Sequence, residues 1–288
     1  MPETQESGTV LVTGGRGRLG RLFVRELRSS GLRAVSLGRT PVDGHPDDVV
    51  VDLRDAESVA DVVRAAGADT IVHLASVLHG DDLVAQNRLI DAAVAGAALA
   101  IDAGRIIHVS SAAVYGTASA GARHEDSELA GDSAYARSKI EGEALFRRLA
   151  ADSTGTAVTT LRIFNVAGPD FPDSLVHKLA TAAPRDPVTV VAPDHFIRDY
   201  IHQQDVSAVL LAATNSKHQG HRVLNVGAGA AVSTRMLLQS LRVDGSSYIE
   251  RAGAPSSSWA DVSRMRSELG VSPTPYPTLA WESAHLPR

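Results

Sequence analysis

The run "TVLVTGGRGRLGRLFVRELRSSG", residues 9–31, constrains how this chain begins to fold more than any other stretch. Thr9 to Thr13 is a β-rich apolar run, and from Arg18 onward apolar residues recur at helical spacing until Gly31 closes the pattern. Between strand and helix, Gly14, Gly17 and Gly20 stand three apart. Glycines in that position permit a tight turn, let the backbone approach a pyrophosphate, and let helix and strand pack closely. The helix start then presents free N–H groups and the positive end of its dipole to the phosphates. No Gly-Lys-Ser/Thr follows, which excludes a Walker-type phosphate loop. The turn therefore predicts a dinucleotide site, with Gly14, Arg16, Gly17, Arg18, Leu19 and Gly20 around the cofactor.

The same alternation continues. "RAVSL" (33–37), "DVVVD" (48–52), "TIVHLA" (70–75), "RIIHVS" (105–110) and "AVTTLRIF" (157–164) read as strands. Helices are predicted near 56–66 and 82–103 and over "DSAYARSKIEGEALFRRLAA" (132–151). Unbroken Val/Ile/Leu runs suit strands covered on both faces, and strand–helix alternation reads as βαβ units. The fold class predicted is α/β: a Rossmann-type doubly wound parallel sheet with a small C-terminal substrate lobe. Residues 1–165 form the dinucleotide-binding domain in this reading, its sheet completed by segments near 199–230. Residues 166–198 and 231–288 form the lobe, glycine and proline punctuate 168–198, and a polar, proline-bearing tail follows Ala252.

Several classes drop out on composition. A net charge of −5 without any Lys/Arg run argues against a nucleic-acid or anionic-membrane binder. The chain has no cysteine, so disulfide and thiolate chemistry are excluded. None of the 11 histidines falls into a metal-binding spacing, so no metal site is expected. "MPETQESG" lacks a basic segment followed by an apolar run, and no apolar stretch is long enough to span a bilayer. A cytoplasmic protein is expected.

Cofactor choice turns on the second strand, which ends "VSLGRT". NAD sites usually carry an acid there for the ribose 2′-hydroxyl, whereas an arginine suits a 2′-phosphate. Arg39, with Arg16 approaching from the glycine turn, favours NADP(H) over NAD(H); Asp43, a few residues on, is the acid that argues the other way.

Tyr135 and Lys139 are four apart in a strong helical pattern, so they share a face. An ammonium beside a phenol favours the phenolate, which makes tyrosine a workable proton donor and acceptor. In "VSSAAVYG", Ser110 and Ser111 close a strand at the carboxyl edge of the predicted sheet, where open α/β folds place their ligands. Either hydroxyl could bond a substrate carbonyl there.

With these residues in view, the chain resembles the extended short-chain dehydrogenases/reductases of the NAD-dependent epimerase/dehydratase family, which act mainly on nucleotide sugars. The resemblance runs through "TGGRGRLG", "VDLRD", "IVHLAS", "VSSAAVYG", "YARSK", "LRIFNVAGP", "RDYIHQQDV" and "LNVGAG" to "DVSRMRSELGVSPTP". It implies that Ser111, four before the tyrosine of Val-Tyr-Gly, is the catalytic serine. Tyr135 becomes the general acid/base, and Lys139 the residue that eases its deprotonation and holds the nicotinamide ribose. It also implies that Asp52 and Leu53 meet the adenine, that Leu74, Ala75 and Ser76 line the dinucleotide, and that Phe164 sits near the nicotinamide. Asn165 and Arg198 match positions contacting the substrate diphosphate, and an arginine fork suits phosphate oxygens. Asn87 is the one residue kept from the family's Asn-Val-x-Gly-Thr pattern, and His177 lies where a second substrate-side acid could stand.

The resemblance leaves three reactions to weigh. Sugar 4,6-dehydratases typically carry acids just after the catalytic serine or threonine; Ala112 and Ala113 stand there and cannot move a proton. A net ketoreductase consumes NADPH, so the Arg39 ending favours reduction of a keto group, at the 4 position, on a nucleotide-linked deoxysugar. The alternative is a nucleotide-sugar epimerase retaining NAD. A dinucleotide-sensing regulator without catalysis is disfavoured because the Tyr/Lys pair is present. The helix near 82–103 is apolar nearly all round, and in the related family it pairs across a two-fold axis, so a homodimer is expected.

Overall fold

The computed structural model describes residues 8–40, 45–117 and 121–276. In chain order the elements are β1 (Thr9–Thr13), α1 (Arg18–Ser29), β2 (Arg33–Gly38), β3 (Asp48–Val50), α2 (Ala56–Ala66), β4 (Thr70–His73), α3 (Leu83–Ala100), β5 (Arg105–Ser111), β6 (Ala122–Arg123), α4 (Ala134–Asp152) and β7 (Ala157–Ile163). The second half contributes β8 (Asn165–Ala167), α5 (Leu175–Ala180), β9 (Val188–Val191), β10 (Phe196–Arg198), β11 (Tyr200–His202), α6 (Gln203–Asn215), β12 (His221–Val226), β13 (Val232–Ser233), α7 (Thr234–Ser240), β14 (Tyr248–Arg251), β15 (Ser256–Ala260) and α8 (Ser263–Leu269).

Seven strands make one parallel sheet in the order β12-β7-β5-β4-β1-β2-β3. The order reverses between β1 and β4, so the carboxyl ends of those two strands open the crevice where doubly wound folds bind ligands. The fold class read from the strand–helix alternation is the one observed.

The apolar strand runs are explained by cover on both faces. On one side Phe23 and Leu27 of α1 and Val206, Val209 and Leu210 of α6 pack with Val10, Val12 and Leu161. On the other, Val59 and Val63 of α2, the alanines of α3 and Phe146 and Leu149 of α4 pack with Leu11, Ile71 and Ile106. Fully burying a Leu or Phe side chain contributes about 1.5–3 kcal/mol, so these layers dominate the stability of the sheet. Side chains set several helix starts, among them Asp55, which accepts from Ser58 N at α2, and Ser133, which accepts from Ala136 N at α4. A cap of this kind is worth about 1 kcal/mol, and Ser133 fixes the start of the helix that carries Tyr135.

A third apolar cluster gathers Ala167, Val176, Leu179, Val190, Tyr200, Leu237 and Tyr276 beside the main sheet. Around it lie a four-stranded sheet, β13-β10-β15-β6, and the pairs β11-β8 and β14-β9. The stretch after Ala252, expected as a polar tail, departs from that expectation. Ser256–Ala260 lies between β10 and β6, paired parallel to both, and α8 follows it. Its run of serines with one aromatic carries no apolar period, and neighbouring backbone holds it as a strand, with Ala260 alone buried in the apolar core. Among the described residues no helix is long and apolar enough to cross a membrane.

Candidate active site

Two clefts open along the carboxyl edge of the sheet. The first, of about 310 Å³, is lined by Gly14, Arg16, Gly17, Gly38, Arg39, Thr40, Asp52, Leu53, Arg54, Leu74, Ala75, Ser76, Val77, Gln86 and Ile90. It is thus built from the ends of β1, β2, β3 and β4, and it gathers most of the residues expected to touch a dinucleotide. Glycine is required at two points of the turn. Gly14 has φ +69°, and a Cβ there would come within 2.8 Å of the Ala75 backbone. A Cβ on Gly20 would lie 2.2 Å from the Gly14 carbonyl oxygen. The helix start therefore sits directly under the turn, with Gly17 as its N-cap and no side chain occupying the cap. That leaves the first-turn N–H groups to face a ligand.

Arg16 folds over Gly38, whose Cα it approaches so closely that a Cβ there would meet Arg16 Cδ at 2.8 Å. All three of its guanidinium nitrogens are buried without a partner among the described residues. An orphaned buried cation beside free helix N–H groups is the donor set an anionic dinucleotide requires, so the residues present fit that group. Arg18, by contrast, points to Asp173 at 2.7 Å, and Leu19 packs against the core. Asn87 is 3 % exposed. Its Oδ1 accepts from Val77 N at 2.7 Å, and its Nδ2 donates to Val77 O and to Ser138 Oγ, both at 3.0 Å. With its amide satisfied, any influence of Asn87 on the cleft passes through the Leu74–Val77 loop. Asp43 lies outside the described residues.

The second cleft, of about 300 Å³, is lined by Ser111, Ala112, Ala113, Gly116, Thr117, Ile163, Phe164, Asn165, Arg198 and Ser258. Ser111 ends β5 and caps the short 3-10 turn Ala112–Tyr115, its Oγ accepting from Ala113 N at 3.2 Å. With that lone pair engaged, the hydroxyl hydrogen remains to be donated. Ser110 points the other way, buried, and donates to Glu143 Oε1 at 2.6 Å. Tyr135 is half-buried on the first turn of α4, and Lys139 Nζ lies 5.9 Å from its ring centroid. Lys139 Nζ also donates to Val109 O at 2.9 Å, which ties α4 to the strand that ends in Ser111.

Arg198 and Asn165 are both held in place. The guanidinium donates to Ile197 O at 2.8 Å, Ser256 O at 3.0 Å and Ser256 Oγ at 2.9 Å, and it stacks on Phe196 at 3.9 Å. Asn165 Nδ2 donates to Asp199 O at 2.7 Å. Asp199, fully buried, accepts from Ala228 N, Gly229 N and Ala260 N, anchoring the Arg198–Asp199 bend. Burial pushes the Asp199 carboxyl up, against the pull of those N–H groups. His177 is on α5, outside the residues lining either cleft. Sequence reasoning missed Ser258 and Thr117; the strand pairing that brings Ser258 to the pocket has no local signature. Among the described residues no three His, Asp or Glu side chains gather as a metal site.

Comparison with known proteins agrees with this geometry. The model of the NAD dependent epimerase/dehydratase family matches residues 10–227. The chain is 30% identical over 303 residues to the dTDP-glucose 4,6-dehydratase of Streptomyces niveus, covering 92% of this chain and 88% of that one. It is also 30% identical over 268 residues to the dTDP-6-deoxy-L-talose 4-dehydrogenase (NAD(P)(+)) of Kitasatospora kifunensis, covering 85% and 80%. The solved structure of MoeE5 in complex with UDP-glucose and NAD superposes with a TM-score of 0.81 at 29% identity, covering 93% of this chain and 94% of that one.

Proposed function

The chain belongs to the NAD-dependent epimerase/dehydratase family of extended short-chain dehydrogenases/reductases, and we propose that it reduces the 4-keto group of a nucleotide-linked deoxysugar with NADPH. Membership makes it an enzyme; the direction of its chemistry and its cofactor are our reading. The observation that carries the reading is Arg16, whose three buried, unpartnered nitrogens lie against Gly38 at the end of β2. That is where a 2′-phosphate would need positive charge. Arg39 and Thr40 line the same end of the cleft. The relative from Kitasatospora kifunensis, a sugar 4-dehydrogenase named for NAD(P)(+), supports the same class of hydride exchange.

NADPH, when bound, supplies the hydride. Gly14, Gly17 and the α1 start receive its pyrophosphate, and Leu74, Ala75 and Ser76 face it across the cleft. Ser111, with one lone pair taken by the Ala113 N–H, donates its hydroxyl hydrogen to the substrate carbonyl oxygen. Tyr135 hands its phenolic proton to that oxygen as negative charge develops there, and Lys139 favours the resulting phenolate. Arg198 and Asn165, both rigidly held, meet the nucleotide diphosphate in the second cleft. Ala112 and Ala113 line that cleft where elimination of water would need an acid and a base, which argues against dehydration even though a 4,6-dehydratase is among the relatives. The residues read as a smaller lobe, 166–198 and 231–288, form the substrate side in this reading, and 277–288 lie outside the described residues. The assembly proposed is a homodimer through α3 and α4, and Leu89 and Leu99 of α3 stay exposed.

A second reading, a nucleotide-sugar epimerase that keeps NAD, is favoured by MoeE5, which holds NAD on the same fold. Purified protein assayed with a panel of nucleotide-linked 4-keto sugars separates the two. Consumption of one NADPH per sugar reduced supports the ketoreductase. Interconversion of epimers without added cofactor, with NAD released on denaturation, overturns it.

A further inference from the structure

The buried face of α3 is apolar except for two residues one turn apart, Asn87 and Asp91. Both reach the stretch that leaves β4 and walls the first cleft. Asn87 holds the far end of that wall through Val77. Asp91 holds the near end, its Oδ1 accepting from His73 Nε2 at 2.9 Å. His73 Nδ1 lies 2.6 Å from Thr13 Oγ1, which in turn accepts from Ala75 N at 3.4 Å. Thr13 and His73 are register partners on β1 and β4. The residues just beyond them, Gly14 on one strand and Leu74, Ala75 and Ser76 on the other, line the cleft.

The two ends of this chain of bonds set its direction. A backbone N–H only donates and a carboxylate only accepts. Asp91 therefore keeps a hydrogen on His73 Nε2, and a neutral ring then offers its Nδ1 lone pair to the Thr13 hydroxyl. Thr13 and His73 are fully buried, so a lost partner leaves a polar group stranded. The wall they steady abuts the glycine turn, where a Cβ on Gly14 would come within 2.8 Å of Ala75 Cα. Gly142 of α4 makes room for the acid, since a Cβ there would stand 2.6 Å from Asp91 Oδ2. We propose that Asp91 is a positioning residue for the dinucleotide cleft, acting through His73 and Thr13 to hold Ala75 against the glycine turn. The proposal rests on a dinucleotide filling the first cleft, and it holds for NADPH and NADH alike.

The test titrates NADPH and NADH, followed by fluorescence, into the full chain and its variants. Asp91→Leu is expected to weaken whichever dinucleotide the unsubstituted protein binds by about five- to tenfold, as loss of a buried hydrogen bond predicts. Asp91→Asn, whose amide oxygen still accepts from His73 Nε2, is expected to bind within about twofold of the unsubstituted protein. On a Thr13→Val background, Asp91→Leu is expected to cost nothing more, because the link it acts through is gone. Gly142→Ala displaces Asp91 with its chemistry intact and is expected to weaken binding about threefold, which keeps the test open if Asp91→Leu does not fold. Val209→Ala opens a cavity in α6, on the other face of the sheet, and is expected to lower stability while binding normally. Equal losses from Asp91→Asn and Asp91→Leu, an undiminished Asp91→Leu effect without Thr13, normal binding by Gly142→Ala, or a loss in Val209→Ala matching that of Asp91→Leu overturns the proposal. An unsubstituted protein that binds neither dinucleotide overturns the reading of the cleft itself.

Discussion

Replacing Glu143 by glutamine keeps its size and removes its charge, and this substitution probes the buried knot behind the candidate site. Glu143 and Arg162 are 7% and 5% exposed, 2.7 Å apart. Arg162 Nε also faces both carboxylate oxygens, at 3.0 and 3.2 Å, while its Nη1 donates to Tyr115 Oη at 2.9 Å and Glu125 O at 2.8 Å. Tyr115 in turn donates to Asn225 Oδ1 at 2.6 Å, and Ser110 donates to Glu143. Burial opposes the Arg162 charge, and the hydrogen bonds and charge of Glu143 more than reverse that, raising its pKa. Glu143→Gln leaves the guanidinium buried without a counter-charge, which costs about 3–5 kcal/mol. Against a total stability of about 5–15 kcal/mol that is a large share, and at about 2–4 °C per kcal/mol it lowers the melting temperature by roughly 10 °C. Glu143→Leu/Arg162→Met exchanges the pair for apolar groups of similar bulk. It is expected to cost less than the sum of its single variants by about 2 kcal/mol or more, because only the singles strand a charge. Urea unfolding followed by circular dichroism measures the original protein, Glu143→Gln, the two single variants of the pair and the double variant. A Glu143→Gln loss under about 1 kcal/mol, or additive single variants, refutes the reasoning. The knot also matters to the site: Glu143 lies one turn past Lys139 on α4, and Ser110 precedes Ser111 on β5.

Three further outcomes are expected. His108 is fully buried, and burial first, then the charges of Lys139, His73 and His221, hold its pKa well below the ordinary value of 6.5. The unfolded chain therefore takes up a proton below about pH 6.5 that the folded chain refuses, so stability falls with acidification from there; the urea midpoint drops between pH 7.5 and 5.5, and His108→Leu flattens that slope. Tyr135→Phe is expected to lower turnover by about 10²–10⁴-fold while NADPH binding, read by fluorescence titration, holds within about twofold; unchanged turnover would remove Tyr135 from the mechanism. Gly20→Ala puts a Cβ 2.2 Å from Gly14 O and 2.7 Å from Gly15 Cα, forcing turn and helix apart. It is expected to cost about 1–3 kcal/mol and to weaken NADPH and NADH alike, and a variant that binds both normally would show the turn to be slack.

What the sequence disclosed was whatever its residues say over short distances. The glycine spacing of 14, 17 and 20, the unbroken Val/Ile runs of β1, β4 and β5, and the four-residue step from Tyr135 to Lys139 each carry their geometry within a few positions. The Glu143–Arg162–Tyr115–Asn225 knot could not be read this way. Its members lie up to 110 positions apart, and each looks like an ordinary polar residue until the fold buries it. The same holds for β15, a strand of serines whose side chains lack any apolar alternation, and whose place was set by β10 and β6 on either side of it.

Ser111 shows how far the two kinds of signal depend on each other. Sequence resemblance chose it over Ser110 by counting from Tyr115, a local argument. The physical basis for the choice is tertiary. Ser110 faces the sheet's interior and is committed to Glu143, a residue 33 positions away, while Ser111 faces the cleft with Phe164, Asn165 and Arg198. The pleat alone puts successive residues of β5 on opposite faces, so only one of two adjacent serines can meet a substrate. The Ala112–Tyr115 turn then engages the Ser111 lone pair and leaves its hydrogen free. The alanines at 112 and 113 contribute the backbone that sets this polarity, with Ala113 supplying the N–H itself, and they leave the cleft without a proton-transferring side chain at those positions. A hydroxyl oriented to donate, beside groups that cannot expel water, suits a site that steadies a carbonyl for hydride transfer.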